Sequence, residues 1–150
     1  MESCMTIPAS PASATVTFTN PPGLYDPAPN GYSHIASVHP GTRLVFIAGQ
    51  GGETADGALA ADFRQQVRQA LANLCTALAA AGAAPRHVAK LTVLIVDHSH
   101  ERLAVFGAEL AQAFGDGPKP ACTLIPVPRL ALDGMLFEIE AVAALPQAAG

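Results

Sequence analysis

The sequence LVFIAGQGG at residues 44–52 decides the fold, together with its distant counterpart LFEIEAV at residues 136–142. The first is a short apolar run, rich in β-branched and aromatic residues, that stops at glycines. This pattern is typical of a buried strand that leads into a tight turn, because glycine adopts backbone angles that other residues avoid. The second is an apolar strand that carries two carboxylates. We expect the two strands to frame a small-molecule pocket that needs more than one copy of the chain.

Length and composition indicate one soluble domain. The chain has 150 residues, of which half are hydrophobic and 13% are charged, and its formal net charge is -4. We expect a single domain at residues 15–145, between a disordered N-terminal tail at residues 1–14 and a short tail at residues 146–150. The small number of charges predicts that part of the apolar surface meets another subunit. No basic patch is present, so nucleic acid is not an expected partner.

Other classes of partner and site are disfavoured by the residue pattern. The cysteines and histidines show no CxxC motif, no mixed cluster and no ligand spacing, so no metal site is expected. No apolar run is long enough to span a bilayer, and the N-terminal residues do not resemble a signal peptide. The sequence therefore predicts a cytoplasmic protein without a membrane partner.

Apolar periodicity predicts an order of β-β-β-α-β-α-β-β. The two helices are expected at residues 61–81 and 100–114. Strands are expected at residues 14–19, 32–38, 43–48, 88–96, 121–127 and 136–142. The second and third strands are predicted to form a hairpin across the turn at residues 39–42.

The strand at residues 88–96 indicates that both faces of the sheet are covered. It is apolar on both faces, which is the pattern of a strand buried on both sides. Two helices can cover only one face of a five- or six-stranded sheet. A second copy of the sheet is therefore expected on the other face, most economically in a closed cyclic oligomer.

Two carboxylates on the last strand are the main candidates for chemistry. Glu138 and Glu140 are two residues apart, so they share the strand face opposite Phe137, Ile139 and Ala141. If those apolar residues face the helices, the glutamates face the centre or a cleft of the assembly. Glu138 can then hold or deprotonate a water molecule; alternatively, it is an interface carboxylate paired with an arginine or a backbone donor.

Short motifs recur along most of the chain in a defined order. They are GYS at 31–33, AGQ at 48–50, the helix with Phe63 and Gln66 that ends in AG at 81–82, VLIVD at 93–97, PA at 120–121 and FEIEA at 137–141. In the order and spacing of these motifs, residues 32–142 resemble the YjgF/Rid family of small trimeric imine deaminases.

The resemblance implies an α+β, chorismate-mutase-like fold. In this fold a five- to six-stranded, mostly antiparallel sheet has two helices on one face. The family forms a homotrimer whose sheets line a central barrel, with sites in the clefts between subunits. The implied activity is hydrolysis of reactive imines or enamines to ketoacids and ammonia, without a metal or an organic cofactor.

Residue by residue, the resemblance implies a set of site positions. Tyr32 and Glu138 correspond to the site tyrosine and glutamate of the family, which makes them the predicted catalytic residues. The substrate-binding positions that the resemblance implies are Gly49, Ala48, Gln50, Cys122 and Leu124, and Arg129 is a further substrate-binding candidate from outside the family pattern.

The chain departs from the family pattern at three of these positions. Ala48 stands in place of a serine, Cys122 in place of an arginine, and Leu124 in place of a cysteine. An arginine binds a carboxylate through two parallel hydrogen bonds, so its absence predicts a more apolar pocket that binds carboxylates weakly. Arg129 or Arg43 either supplies the missing cation from another position or forms a salt bridge at the surface.

Three functions remain open from the sequence. The first is a diverged, cofactor-free hydrolase of a reactive imine, enamine or related small carbonyl compound. The second is a non-catalytic, small-molecule-binding or regulatory homotrimer. The third, RNA cleavage, is attached to some members of the family, but the acidic balance of this chain disfavours it. Cys122 is either a nucleophile or, as for most cysteines, a small residue packed in the core.

Overall fold

The computed structural model describes residues 14–147. Most of the tail predicted at residues 1–14, and residues 148–150 of the other tail, lie outside this range. Within it the chain forms β1 (Val16–Thr19), β2 (Ile35–Val38), β3 (Thr42–Gln50), α1 (Phe63–Ala80), β4 (Val88–Val96), α2 (His100–Phe114), β5 (Ala121–Val127) and β6 (Phe137–Pro146). The predicted α+β class, with two helices packed on a mostly antiparallel sheet, is confirmed.

Most element bounds follow from local signals in the sequence. The helix α2 and the strands β4 and β5 have the predicted bounds. The helix α1 begins after Asp62, whose carboxylate accepts a hydrogen bond from the backbone N–H of Gln65 at 2.9 Å and so caps the first turn. The strand β6 continues to Pro146, beyond its predicted end at residue 142, because β3 pairs with it over that length.

Within residues 14–147 the main sheet has four strands, in the order β3-β6-β4-β5. The strand β6 pairs antiparallel with both β3 and β4. The strands β4 and β5 are parallel, as a crossover through α2 requires. The strand β6 therefore lies inside the sheet, with β3 on one side and β4 on the other, and this position determines what surrounds its glutamates.

The predicted hairpin between residues 32–38 and 43–48 is wrong. The strand β2 pairs instead with β1, from Val16 opposite Val38 to Thr19 opposite Ile35, in a separate two-stranded ribbon. The backbone N–H of His39 continues this pairing by donating to the carbonyl of Thr15 at 2.9 Å. The turn after His39 then delivers the chain to the edge of the main sheet rather than back along β2.

Strand alternation separates a core face from an uncovered face of the main sheet. Leu91, Val93 and Ile95 of β4, like Phe137 and Ile139 of β6, are fully buried against the helices. The intervening side chains point to the other face.

The other face exposes large apolar side chains in a single protomer. Among them are Leu44 and Ile125, and Phe46 is 73% exposed. This face is apolar, as the sequence predicted. The helices of the described chain pack on the opposite face, so nothing in the described protomer covers it.

A buried carboxylate joins the two helices. Glu109 of α2 is only 2% exposed and accepts hydrogen bonds from Arg64 Nη1 at 2.5 Å and Arg68 Nε at 3.0 Å, both on α1. Burial by itself raises the pKa of Glu109, but the hydrogen bonds from Arg68 and Arg64 outweigh it and hold the pKa below the usual value. The ionised form is therefore the one that stabilises the helix pair.

Replacing this carboxylate should remove part of the acid sensitivity of folding. A folded-state pKa below the unfolded one adds stability above the unfolded pKa, and this stability is lost as the pH falls through the folded pKa. We expect Glu109→Gln to lower the free energy of unfolding by about 1–2 kcal/mol at about pH 7 and by much less at about pH 3. Urea unfolding at both pH values measures the two differences. Glu101→Gln, at an exposed position of α2, is the control; an equal loss for Glu109→Gln at both pH values would contradict the assignment.

Candidate functional site

The end of β3 carries a β-bulge at Ala48 and Gly49. Ile47 pairs with Ala141 and Gln50 pairs with Ile139, so β3 advances three residues where β6 advances two. The side-chain amide of Gln50 donates to the carbonyl of Ala48 at 3.0 Å and spans the bulge. The predicted positions 48–50 thus form one local structure, in which Gln50 supports the backbone.

The bulge brings Gly49 against the side chain of Glu138. A β-carbon at position 49 would lie 2.0 Å from Oε1 of Glu138 and 2.7 Å from its Cδ. Any side chain at this position would displace the carboxylate. The glycine therefore determines where the carboxylate of Glu138 lies.

These two residues line a small recess on the uncovered face of the sheet. The recess has a volume of about 60 Å³ and is completed by Glu140, Thr92 and Leu94. Thr92 lies opposite Glu140 and Leu94 opposite Glu138 in the pairing of β4 with β6, so all four side chains share one face. Sequence reasoning did not propose Thr92 and Leu94, although the alternation along β4 assigns both to this face.

The recess has an acidic lining. Both of its charged residues are glutamates, and no Lys, Arg or His from residues 14–147 lines it. Lys90 lies on the same face of β4, but its ammonium group donates to the hydroxyl of Thr123 on β5 at 2.6 Å. That contact directs the cation away from β6.

Tyr32 lines a different and much larger cavity. This cavity of about 880 Å³ lies between residues 28–33 and α2, where Leu103 and Phe106 are among its lining residues. The hydroxyl of Tyr32 shares a hydrogen bond with that of Tyr25, and both rings pack edge to face with His34 at centroid distances of 5.2 and 5.5 Å. Within one protomer, Tyr32 is therefore not part of the recess that contains Glu138.

Cys122 and Leu124 lie on the helix side of the sheet. Both are partly buried against the core, and they pair with Leu91 and Val93, which face the helices. Burial raises the pKa of the Cys122 thiol to about 11, against a smaller opposing effect of Lys90. The thiol is therefore protonated at neutral pH, which favours packing over nucleophilic catalysis.

Arg129 is separated from the recess as well. Its guanidinium donates to Asp133 at 2.9 Å at the protein surface. It lines a third cavity, of about 250 Å³, formed with Val96, Leu130 and residues 132–136. Of the site residues predicted from the sequence, one protomer brings Glu138 and Gly49 together, with Ala48 and Gln50 in the same bulge, and leaves Tyr32, Cys122, Leu124 and Arg129 elsewhere. Their contribution to a shared site stays a prediction.

Two further features of residues 14–147 bear on the class of protein. No group of three or more His, Cys, Asp or Glu side chains in this range is arranged to hold a metal ion. Neither helix in the same range combines the length and the apolar character needed to cross a bilayer.

Comparison with known proteins relates the whole domain to one family. Residues 25–145 match the family model described as endoribonuclease L-PSP. The chain is 33% identical over 116 residues to the RutC family protein YjgH of Escherichia coli strain K12. This match covers 77% of this chain and 86% of that protein.

Solved structures agree with this relationship. The crystal structure of YyfB from Yersinia pestis, a Rid family protein of unknown function, is 36% identical with a TM-score of 0.83, and the match covers 87% of this chain and 99% of that one. A member of the YjgF/YER057c/UK114 family from Mycobacterium tuberculosis is 30% identical with a TM-score of 0.58, covering 87% and 100% of the two chains. Since sequence and fold agree over most of its length, the chain belongs to the YjgF/Rid family.

Proposed function

We propose that the protein is a cofactor-free hydrolase of a reactive imine, enamine or related small carbonyl metabolite, with Glu138 as the residue that activates water. The observation that carries this proposal is the carboxylate of Glu138, set against Gly49 at an open recess of the sheet. A carboxylate within reach of a bound water can take its proton as the oxygen attacks the imine carbon. Return of that proton to nitrogen and loss of ammonia leave the carbonyl product.

The proposed site needs walls from other protomers. A recess of about 60 Å³ is far below the several hundred Å³ typical of ligand pockets. The recess opens on the face that exposes Phe46, Leu44 and Ile125. We therefore propose a homotrimer in which these faces meet and enclose the recess, with Tyr32 of a neighbouring copy as the expected second site residue.

The central experiment measures ammonia release from a panel of reactive imines. We expect Glu138→Gln to lower kcat/KM by about 10²-fold, within the range for loss of a general base, while the protein keeps its fold. Glu101→Gln removes a carboxylate from the helix side of the molecule and should leave the rate unchanged. Equal rates for wild type and Glu138→Gln would remove the proposed role of this residue.

The assembly is tested by a charge on the uncovered face. We expect wild type to be trimeric at micromolar concentration and Phe46→Glu to dissociate, because the glutamate would be buried without a partner. Light scattering coupled to size exclusion gives both masses. Leu132→Glu, at an exposed apolar residue in the loop before β6, is the matched control and should stay trimeric. A monomeric wild type would contradict the proposed assembly.

A non-catalytic homotrimer that binds a small molecule is the second candidate. It is favoured by the protonated, partly buried thiol of Cys122, the residue that the resemblance predicts in place of the family arginine. Calorimetric binding of small ligands without turnover of any imine would select this candidate. RNA cleavage is the least favoured, given the net charge of -4, and RNA retention at physiological salt would reverse that ranking.

A further inference from the structure

The charges around the recess constrain the ligand that it can hold. Glu138 and Glu140 are two residues apart on β6 and both line it, while Gly49, Thr92 and Leu94 contribute no charge. A ligand in this recess therefore meets two acidic side chains within a few ångströms. At such distances the sign of the ligand's own charge affects binding, and the effect grows as the recess is closed off from bulk water.

The basic side chain that β4 presents on this face does not line the recess. Lys90 is the basic residue that β4 presents on this face, and its ammonium group is held by Thr123 on β5. The strand β5 lies on the opposite side of β4 from β6. The described chain thus leaves the acidic lining of the recess without a bound cation.

We infer that the recess selects cationic ligands that lack a carboxylate, and specifically the protonated imines of simple amines. This inference rests on the proposed function for the reaction, and on the lining of the recess for the choice of ligand. A protonated imine is a planar cation that Glu138 and Glu140 attract, whereas an imine with a carboxylate on the same carbon brings a negative charge that they repel.

The reaction balances without a further reagent. Water adds across the C=N bond of the iminium ion, a proton passes from the oxygen through Glu138 to the nitrogen, and the C–N bond breaks. The products are an aldehyde or ketone and an ammonium ion. The class of reaction that supplies such substrates is the two-electron oxidation of primary amines, in contrast to the amino acid reactions that supply carboxylate-bearing imines.

Ligand charge is tested with two ions of the same shape. Propanamidinium and propanoate are planar and nearly equal in size, and they differ in sign. We expect the full-length protein to bind propanamidinium at least about tenfold more tightly than propanoate by calorimetry. Glu140→Gln should reduce this ratio severalfold, whereas Glu101→Gln should not change it. A ratio near one, a preference for propanoate, or no binding of either ion overturns the inference.

Turnover separates this inference from the proposed function. Propan-1-imine and 2-iminobutanoate, both generated in place, differ only by the carboxylate. We expect kcat/KM for ammonia release to be at least about tenfold higher for propan-1-imine. Faster hydrolysis of 2-iminobutanoate would overturn the inference and leave the hydrolase standing. Preferential binding of propanamidinium without turnover of either imine would support the inference and contradict the hydrolase.

Discussion

Gln66→Leu should lower the free energy of unfolding by about 3–5 kcal/mol, because three backbone groups lose their partner at once. Gln66 is fully buried on α1, and its Nε2 donates to the carbonyls of Ala60 at 2.7 Å and Gly134 at 2.9 Å. Its Oε1 accepts from the backbone N–H of Leu136 at 2.8 Å. The leucine fills a similar volume but satisfies none of these groups.

The substitution should disturb the candidate site as well as lower the stability of the fold. Leu136 directly precedes β6, two residues before Glu138, so Gln66 fixes the start of the strand that carries the carboxylate. Urea unfolding measures the loss of stability. Gln65→Leu changes the same residue type at an exposed position of the same helix and should alter stability by less than about 0.5 kcal/mol. An equal loss of stability for the two substitutions would show that the hydrogen bonds of the Gln66 amide do not contribute the expected stabilisation.

Gly52→Ala should be the second severe substitution, with an expected loss of about 3 kcal/mol or more. A β-carbon at position 52 would lie 2.7 Å from Cα, 2.8 Å from Cβ and 2.8 Å from the carbonyl oxygen of Gln66. Those are atoms of the helix backbone and its first side-chain carbon, which cannot rotate away. The helix α1 would have to separate from the loop after β3.

The control for this substitution is expected to have the opposite sign. Gly107 lies inside α2, and a β-carbon there would meet no atom within 4 Å. Gly107→Ala should therefore stabilise the protein by about 0.5–1 kcal/mol, through the better helix propensity of alanine. Thermal unfolding of the two variants measures whether each substitution raises or lowers stability. A Gly52→Ala protein as stable as wild type would mean that the loop and helix do not approach as closely as described.

Regular periodicity made much of the fold predictable. The two-faced apolar pattern of β4 and the apolar stripe of α2 gave the bounds of both elements. Alternation along β6 put Glu138 on the face opposite Phe137 and Ile139, and the structure supplies the condition that these two residues face the helices. These are local signals, which depend only on neighbours in sequence.

Long-range pairing was not predictable in the same way. The partner of β2 depends on contacts such as that from the hydroxyl of Ser33 to the carbonyl of Lys119 at 2.6 Å, which joins residues 86 apart in sequence. Four residues of strand with a turn on one side are compatible with either neighbour. The position of Tyr32 depends on the same loop, so the separation of its cavity from the recess could not be read from its motif.

The recess itself combined predictable and unpredictable parts. Glycine at position 49 predicted backbone angles that other residues avoid, but Gly49 does not have a positive φ; glycine is required there because the bulge brings the backbone against Glu138. The resemblance to the family predicted Cys122 in place of an arginine, whereas the packing of Cys122 against the core required the sheet register. The side-chain types thus predicted which chemistry is available, whereas the register of the strands determines which side chains lie next to one another.

The edge position of β3 has a consequence for how the protein is made. Among residues 14–147 this strand lies at the edge of the main sheet, so its outer backbone groups have no neighbouring strand there, and it presents Leu44 and Phe46 to solvent. A newly synthesised chain exposes this apolar edge strand until another molecule covers it, and the rate at which chains meet rises with their concentration. The proposed association of copies would cover Leu44 and Phe46, and so would shorten the time for which a new chain presents them to aggregation.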